Sequence, residues 1–213
     1  MEFPEARILV FCKAPVPGKV KTRLAQSIGD AQAAQLHESL AHHCLQNLAG
    51  ARVAPVQLWC APDAGHPFFH ECRDIYGVEL HEQTGADLGE KMSRAFDHVL
   101  AEARQCVVVG TDCPAIDAAV VREALTALSD GADGVIGPAE DGGYYLLGLT
   151  NPMPELFNGI LWGTQDVLLQ TRSRMIGRWR ETATLWDVDR PEDLQRLKNS
   201  RSHSRPEAAW PVF

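Results

Sequence analysis

Short apolar segments that alternate with helical patterns are the feature that most constrains the fold of this chain. Residues 6–12, broken only by Arg7, and residues 106–109 are continuous apolar runs, typical of strands buried on both faces of a parallel sheet. The helical pattern over residues 30–48 instead places an apolar side chain at every fourth position from Leu36 to Leu48. This alternation indicates βαβ units, so we predict an α/β fold with a mostly parallel central sheet.

The same patterns predict the remaining elements without an internal repeat or an interdomain linker. We therefore expect one domain over residues 1–198, followed by a C-terminal tail over residues 199–213. The further predicted strands are residues 53–61, 78–81, 134–137, 144–149 and 183–186. The further predicted helices are residues 66–76, 88–103, 118–128, 167–179 and 191–198.

Composition excludes several classes of function. The formal net charge of −8 argues against a nucleic-acid partner, because phosphate binding usually requires a basic face. No apolar stretch approaches the roughly 18 residues that span a bilayer, and no signal peptide is recognisable. The six cysteines are scattered, which is typical of a reduced, cytoplasmic protein. The apolar end, residues 208–213, could dock on a second copy of the chain.

A cationic loop follows the first predicted strand, where α/β sheets bind ligands. Lys13, Lys19, Lys21 and Arg23 lie within eleven residues of one another, and their mutual repulsion would be relieved by a bound polyanion. Arg23 offers a planar fork for phosphate, and the lysines offer point charges. We predict a phosphate site here, although a solvated basic loop would show the same pattern.

Carboxylates follow two other predicted strands. Asp112 stands after residues 106–109, and Asp187 and Asp189 stand after residues 183–186. Mg²⁺ or Mn²⁺ is usually held by one or two such carboxylates together with phosphate oxygens. Each aspartate could equally be a turn or helix-cap residue, so the pattern alone leaves both interpretations open.

An acidic, glycine-rich turn separates the predicted strands 134–137 and 144–149. Asp141 is suited to hydrogen-bonding a hydroxyl or to general-base chemistry, and Gly142 and Gly143 would let a ligand approach the backbone. Tyr144 could pack on a sugar or a base. A hairpin turn explains the same residues, and the two interpretations are compatible. After the third strand, Gln83 and Lys91 are weaker candidates for contacts to a nucleotide.

Taken as an ordered set, these motifs resemble the nucleotide-diphospho-sugar transferase superfamily, with its GT-A-like fold. The chain is similar to a poorly characterised glycosyltransferase-like family associated with arsenosugar biosynthesis and with radical-SAM neighbours. The resemblance implies a Rossmann-like, three-layer sandwich. It rests on residues 13–24, 88–92, 110–114, 141–145 and 186–194.

The layout is also similar to nucleotidyltransferases such as molybdenum-cofactor guanylyltransferase, phospholactate guanylyltransferase and CMP-KDO synthetase. This second resemblance implies that Asp112 and Asp189 bind the metal, with Asp187 in reserve. The chain departs from these patterns at two points. A Pro-Gly-Lys loop replaces the usual glycine-rich loop, and Pro114 stands where a DxD motif would have its second carboxylate.

These observations predict a metal-dependent glycosyltransferase whose partners are a nucleotide sugar and a small-molecule acceptor. Lys21, Arg23 and Asp141 are the predicted catalytic residues, and Mg²⁺ or Mn²⁺ is the predicted cofactor. The alternative reaction is nucleotidyl transfer, in which a phosphorylated or carboxylated metabolite attacks a nucleoside triphosphate and releases pyrophosphate. A non-catalytic nucleotide-binding module is a third interpretation, and it would bind nucleotide without turnover.

Overall fold

A computed structural model describes residues 1–200 of the chain, in which seven strands form one sheet. The strands are β1 (Ala6–Lys13), β2 (Val56–Ala61), β3 (Glu79–Glu82), β4 (Gln105–Gly110), β5 (Gly134–Pro138), β6 (Tyr144–Leu149) and β7 (Trp179–Glu181). The helices are α1 (Thr22–Ile28), α2 (Asp30–Ala51), α3 (Pro67–Tyr76), α4 (Leu88–Leu100), α5 (Ala118–Ser129), α6 (Val167–Arg172) and α7 (Pro191–Ser200), with a 3₁₀ turn at Pro154–Phe157.

The sheet has the order β3-β2-β1-β4-β6-β5-β7. β1 is parallel to β2 and β4, and Val10 pairs with Leu58 on one side and Val109 on the other. Only β6 runs antiparallel to its neighbours among the described strands. The predicted α/β fold with a mostly parallel sheet is confirmed, and the loops after β1, β4 and β5 share one edge.

Helices cover both faces of the sheet, because successive side chains of a strand point to opposite sides. Ile8 and Val10 join the core on the face that α2, α3 and α5 cover. Leu9 and Phe11 join the other core, with α4 and the 3₁₀ turn. The predicted three-layer arrangement is therefore present. α1 and α7 meet α2 in a third, smaller core around Val188.

Two predicted elements differ from the structure near the C-terminal end. The predicted helix 167–179 ends earlier, at Arg172; beyond it Gly177 adopts a left-handed backbone (φ 93°), and Trp179 begins β7. The predicted strand 183–186 is reduced to an isolated bridge between Ala139 and Leu185. The helix α1 was not predicted at all, since its seven residues are too few to show a helical period.

The remaining sequence predictions concern the C-terminal tail, the cysteines and membrane-spanning segments. The first two residues of the predicted tail, 199–213, belong to α7, and residues 201–213 lie outside the described part of the chain. All six cysteines are buried and free. Within residues 1–200, no helix combines the length and the hydrophobicity needed to cross a bilayer.

Gly134 provides a test of how β7 is held on the sheet. A Cβ added at this position would lie 2.5 Å from the Trp179 ring, so Gly134→Ala should force β7 away from β5 and lower the free energy of unfolding by about 1–3 kcal/mol. Gly50→Ala is the matched control, because a Cβ there meets nothing within 4 Å and should be neutral or stabilise α2 by up to about 1 kcal/mol. Chemical denaturation measures both, and equal effects would contradict the proposed packing.

Candidate functional site

A cleft of about 880 Å³ opens beside the carboxyl ends of β4 and β5. Its walls come from the segment after β4, the turn between β5 and β6, the segment before α6 and the segment before α7. The lining residues are Arg23, Leu88, Gly110, Asp112, Cys113, Ala139, Glu140, Asp141, Gly143, Tyr144, Tyr145, Trp162, Gly163, Thr164, Gln165, Val167, Trp186, Asp187, Asp189, Arg190 and Asp193.

Lys21 connects three segments beneath this cleft. Its side chain is only 2% exposed, and its ammonium lies 2.7 Å from Asp112 Oδ1. The same ammonium donates to the Val188 carbonyl oxygen at 2.6 Å. Val188 N–H in turn donates to the Asp112 carbonyl oxygen at 2.9 Å. The cationic loop, the end of β4 and the segment before α7 are thereby fixed against one another.

Asp112 keeps its negative charge in this environment. Desolvation by the surrounding protein acts to raise the pKa of its carboxyl, but Lys21 and the buried His37 ring outweigh it and hold that pKa well below its ordinary value. His37 Nδ1 lies 3.7 Å from Asp112 Oδ1, and its Nε2 lies 2.9 Å from the Lys13 carbonyl oxygen. Half of the Asp112 side chain, 52%, remains exposed to the cleft. It can therefore still reach a ligand.

A second ion pair lies at the mouth of the cleft. Arg23 Nη1 is 2.7 Å from Asp189 Oδ2, and both side chains are partly exposed. Asp193 fixes the local backbone, because its Oδ2 accepts hydrogen bonds from the N–H groups of Asp189 and Arg190. Asp193 therefore caps the start of α7. Asp189, in contrast, contacts the cationic loop through Arg23.

Asp187 lies in the most acidic part of the cleft. Burial and the nearby charge of Asp141 raise the pKa of Asp187 to about 6, with a smaller contribution from Asp112 and an opposing one from Lys21. Carboxylates that follow β4, β5 and β7 thus act on one another across the cleft. Such crowding of negative charge is relieved by a bound cation.

The acidic turn also supports the opposite wall. Asp141 Oδ1 accepts a hydrogen bond from Gly143 N–H at 2.8 Å, which shapes the turn. Gly142 has φ 90°, and a Cβ there would collide with the Gln165 carbonyl oxygen. Its own carbonyl accepts from Leu168 N–H at 2.9 Å. Gly142 therefore anchors the segment before α6, whereas Gly143 and Tyr144 line the cleft.

Besides Lys21, four of the predicted nucleotide contacts do not line the cleft. Gln83 is buried, and its amide donates to the Trp59 and Cys12 carbonyl oxygens at 2.7 and 3.3 Å. Lys13 and Lys19 are exposed, and Lys91 is partly exposed. None of the ion pairs among residues 1–200 involves these three lysines.

Sequence reasoning missed His37. The only signal for His37 was that a titratable residue stands beside Leu36 in the helix α2. In the structure His37 is buried, with 5% of the residue exposed. For Trp162 the sequence suggested a lid or acceptor region, with packing in the core as the alternative. Trp162 lines the cleft and packs on the first turn of α4, where a Cβ added to Gly89 would lie 2.7 Å from its ring. Its ring meets Tyr144 edge to face, with centroids 6.5 Å apart.

The donor set suits a hard divalent cation, although no three or more His, Cys, Asp or Glu of residues 1–200 form a metal-binding group. Asp112 Oδ1 and the Val188 carbonyl oxygen already hold a cation, the Lys21 ammonium. Mg²⁺ typically uses one or two protein carboxylates and completes its shell with water and phosphate. Carboxylates from Asp112 and the 187–189 segment fit that requirement.

Comparisons with known proteins identify the family. Residues 44–164 match the family described as "Uncharacterized protein conserved in bacteria (DUF2064)". The chain belongs to this family. Its structure is also similar to that of a proposed nucleotide-diphospho-sugar transferase from Desulfovibrio desulfuricans G20, with 34% identity, a TM-score of 0.84, and 94% of this chain and 89% of that one covered. No match was found among curated proteins.

More distant structures share the fold. A cytidylyltransferase from Leptospira borgpetersenii is 14% identical over 97% of this chain and 90% of its own, with a TM-score of 0.66. Molybdopterin-guanine dinucleotide biosynthesis protein A from Archaeoglobus fulgidus is 15% identical over 93% of this chain and 100% of its own, with a TM-score of 0.58. The predicted superfamily is confirmed, whereas the association with arsenosugar biosynthesis stays a prediction.

The burial of Asp187 beside other carboxylates predicts a specific pH dependence in metal-free protein. Because its pKa is raised to about 6 by folding, the folded state binds this proton more tightly than the unfolded chain. Its contribution to stability should therefore be present below about pH 4 and decline as pH rises through about 6. Asp187→Asn should remove that decline and, near pH 7, stabilise the protein by about 1–2 kcal/mol after solvent screening.

Denaturation in EDTA between pH 5 and 7.5 measures this difference. Asp97→Asn, a change of an exposed carboxylate on α4, is the control and should leave the wild-type pH profile intact. A wild-type profile in Asp187→Asn would show that burial and the neighbouring carboxylates do not raise the pKa of Asp187.

Proposed function

We propose that this protein is a metal-dependent glycosyltransferase that uses a nucleotide-sugar donor. The observation that carries the proposal is the composition of the cleft at the carboxyl edge of the sheet. Six carboxylates but only two guanidinium groups line it. Three lysines without an ion pair, Lys13, Lys19 and Lys91, belong to the end of β1 and the segments that follow β1 and β3. Carboxylates are suited to metal and to sugar hydroxyls, and lysines are suited to phosphate.

The donor nucleotide lies over the β1–β3 half of the sheet in this proposal. Lys13, Lys19 and Lys91 supply positive charge there, and Arg23 reaches the diphosphate from the mouth of the cleft. Gln83 would contact the nucleotide only if its amide exchanged the carbonyl partners it now has. Its contribution is therefore to hold the ends of β1 and β2 in register.

Asp112 and Asp189 would hold Mg²⁺ or Mn²⁺, with Asp187 as the alternative second ligand. When bound, the metal supplies positive charge to the diphosphate that leaves. Arg23 pairs with Asp189 in the ligand-free chain, and a donor diphosphate is a competing partner for that guanidinium. Donor and metal binding would therefore assist each other.

The chain's own residues perform the transfer as follows. The bond between the sugar carbon and the diphosphate oxygen breaks, and the acceptor oxygen forms a bond to that carbon. The acceptor hydroxyl gives its proton to the Asp141 carboxylate, which lines the cleft. Lys21 and Arg23 stabilise the charge on the departing nucleoside diphosphate. Lys21 does so from its buried position beside Asp112.

Nucleotidyl transfer is the second candidate, and the cytidylyltransferase with the same fold is what favours it. In that reaction an acceptor would attack the α-phosphate of a nucleoside triphosphate and release pyrophosphate. A cytoplasmic location and association with a second copy stay predictions under either reaction.

Ligand-induced stabilisation tests the nucleotide and metal sites together. Nucleoside triphosphates, diphosphates and the UDP-, GDP-, ADP- and dTDP-sugars are each tested with Mg²⁺, Mn²⁺ or EDTA. One nucleotide sugar should raise the melting temperature only with metal, because binding to the folded state stabilises it by mass action. Asp112→Asn should abolish the metal-dependent part, and Asp97→Asn should retain it.

The released product decides between the two reactions. Turnover with a nucleotide sugar should release nucleoside diphosphate and no pyrophosphate. Pyrophosphate from a nucleoside triphosphate would replace glycosyl transfer with nucleotidyl transfer. A full response of Asp112→Asn to metal would refute the assigned metal ligand.

The unpaired lysines predict a separate loss of affinity. Lys13→Met should weaken nucleotide binding about ten- to hundredfold, because a charge-assisted contact to phosphate contributes about 1.5–3 kcal/mol. Arg180→Met removes an exposed cation on β7 and should leave the affinity unchanged. Isothermal titration calorimetry with the nucleotide found above measures the affinity of both variants. Equal affinities would show that Lys13 does not contact the phosphates.

A further inference from the structure

The cleft offers an acceptor a strongly negative surface. Of the six carboxylates that line it, three pair with cations: Asp112 with Lys21, Asp189 with Arg23, and Glu140 with Arg196. No ion pair among residues 1–200 includes the other three, Asp141, Asp187 and Asp193. Asp193 accepts hydrogen bonds from backbone N–H groups at the start of α7, which leaves Asp141 and Asp187. The end of the cleft between the acidic turn and the segment before α7 is thus the least neutralised.

Aromatic side chains complete this end of the cleft. Tyr144 and Trp162 line it in an edge-to-face pair. Trp162 Nε1 is buried against the first turn of α4, and the Tyr144 hydroxyl is buried beside Thr171. Both side chains are only partly buried, so it is the aromatic rings, and not these polar atoms, that face the cleft.

This combination selects a chemical class. Carboxylates accept hydrogen bonds from hydroxyl and ammonium groups, and aromatic rings cover the apolar face of a sugar ring. A phosphate or carboxylate on the acceptor would instead meet the unneutralised Asp141 and Asp187. Of the two cations that line the cleft, Arg23 pairs with Asp189, and its charge also acts on Asp141 and Asp187. The six carboxylates still outnumber the two guanidinium groups, so the cleft as a whole remains negative.

We infer that the acceptor is a polyhydroxy compound without negative charge, such as a neutral sugar, a polyol or an amino sugar, bound between Asp141, Asp187, Tyr144 and Trp162. The inference rests on the proposed function and names the substrate class of the same site. It separates the two candidate reactions, because an acceptor that attacks through its own phosphate or carboxylate is excluded from this end of the cleft.

Matched compounds that differ only in charge test this inference. Glucose, glucosamine, glucose 6-phosphate and glucuronate are titrated against the full chain by ligand-observed NMR, with Mg²⁺ and with UDP, GDP, ADP or dTDP in separate samples. Glycerol and glycerol 3-phosphate form a second pair. We expect glucose, glucosamine or glycerol to bind at least fivefold more tightly than its anionic counterparts.

Asp141→Asn keeps the oxygen that accepts from Gly143 N–H but removes the charge. It should reduce the preference for neutral compounds at least threefold, and Asp97→Asn should keep the preference. Tighter binding of the anionic compounds, or nucleotide binding with none of the six compounds bound, would overturn the inference and leave the proposed function standing. Absence of nucleotide binding would overturn both.

Discussion

The contact between Lys21 and Asp112 is the interaction on which the site depends. A buried ammonium needs a partner, and here it has a carboxylate and a carbonyl oxygen from two different segments. The cation therefore fixes the end of β4 and the start of the α7 segment at once. It also keeps Asp112 ionised where the surrounding protein alone would favour the neutral acid. A metal ion bound beside Asp112 would use carboxylate oxygens that this ion pair already holds in position.

The antiparallel strand β6 determines what faces Asp112. Because β6 lies between β4 and β5, the turn that joins β5 to β6 opens at the same edge as the loop after β4. Asp141 thereby shares a cleft with Asp187 and Asp112, although each follows a different strand. Backbone contacts of Gly142 with Gln165 and Leu168 hold this turn against the segment that follows Trp162. The acidic turn and the segment that carries Trp162 are consequently held in fixed positions relative to each other.

The sequence predicted the strands and the chemistry at their ends, because buried parallel strands have a distinctive apolar pattern. It could not predict the direction of individual polar side chains. Gln83 turns inward to backbone carbonyls, and Lys21 is buried although it belongs to a cationic loop. His37 lies on a helix far away in sequence, so only the packing of α2 on β1 places it near Asp112. The end of α6 and the presence of β7 were not predicted either. They depend on Trp179 packing against Gly134, a long-range contact that no local sequence pattern indicates.

The contact from Lys21 to Val188 spans 167 residues of chain. Contacts of such separation close late, since the entropy of a long loop must be overcome before they contribute. During synthesis at about 5–20 residues per second, Lys21 would leave the ribosome many seconds before its carbonyl partner exists. A complete cleft therefore has to await the segment that precedes α7.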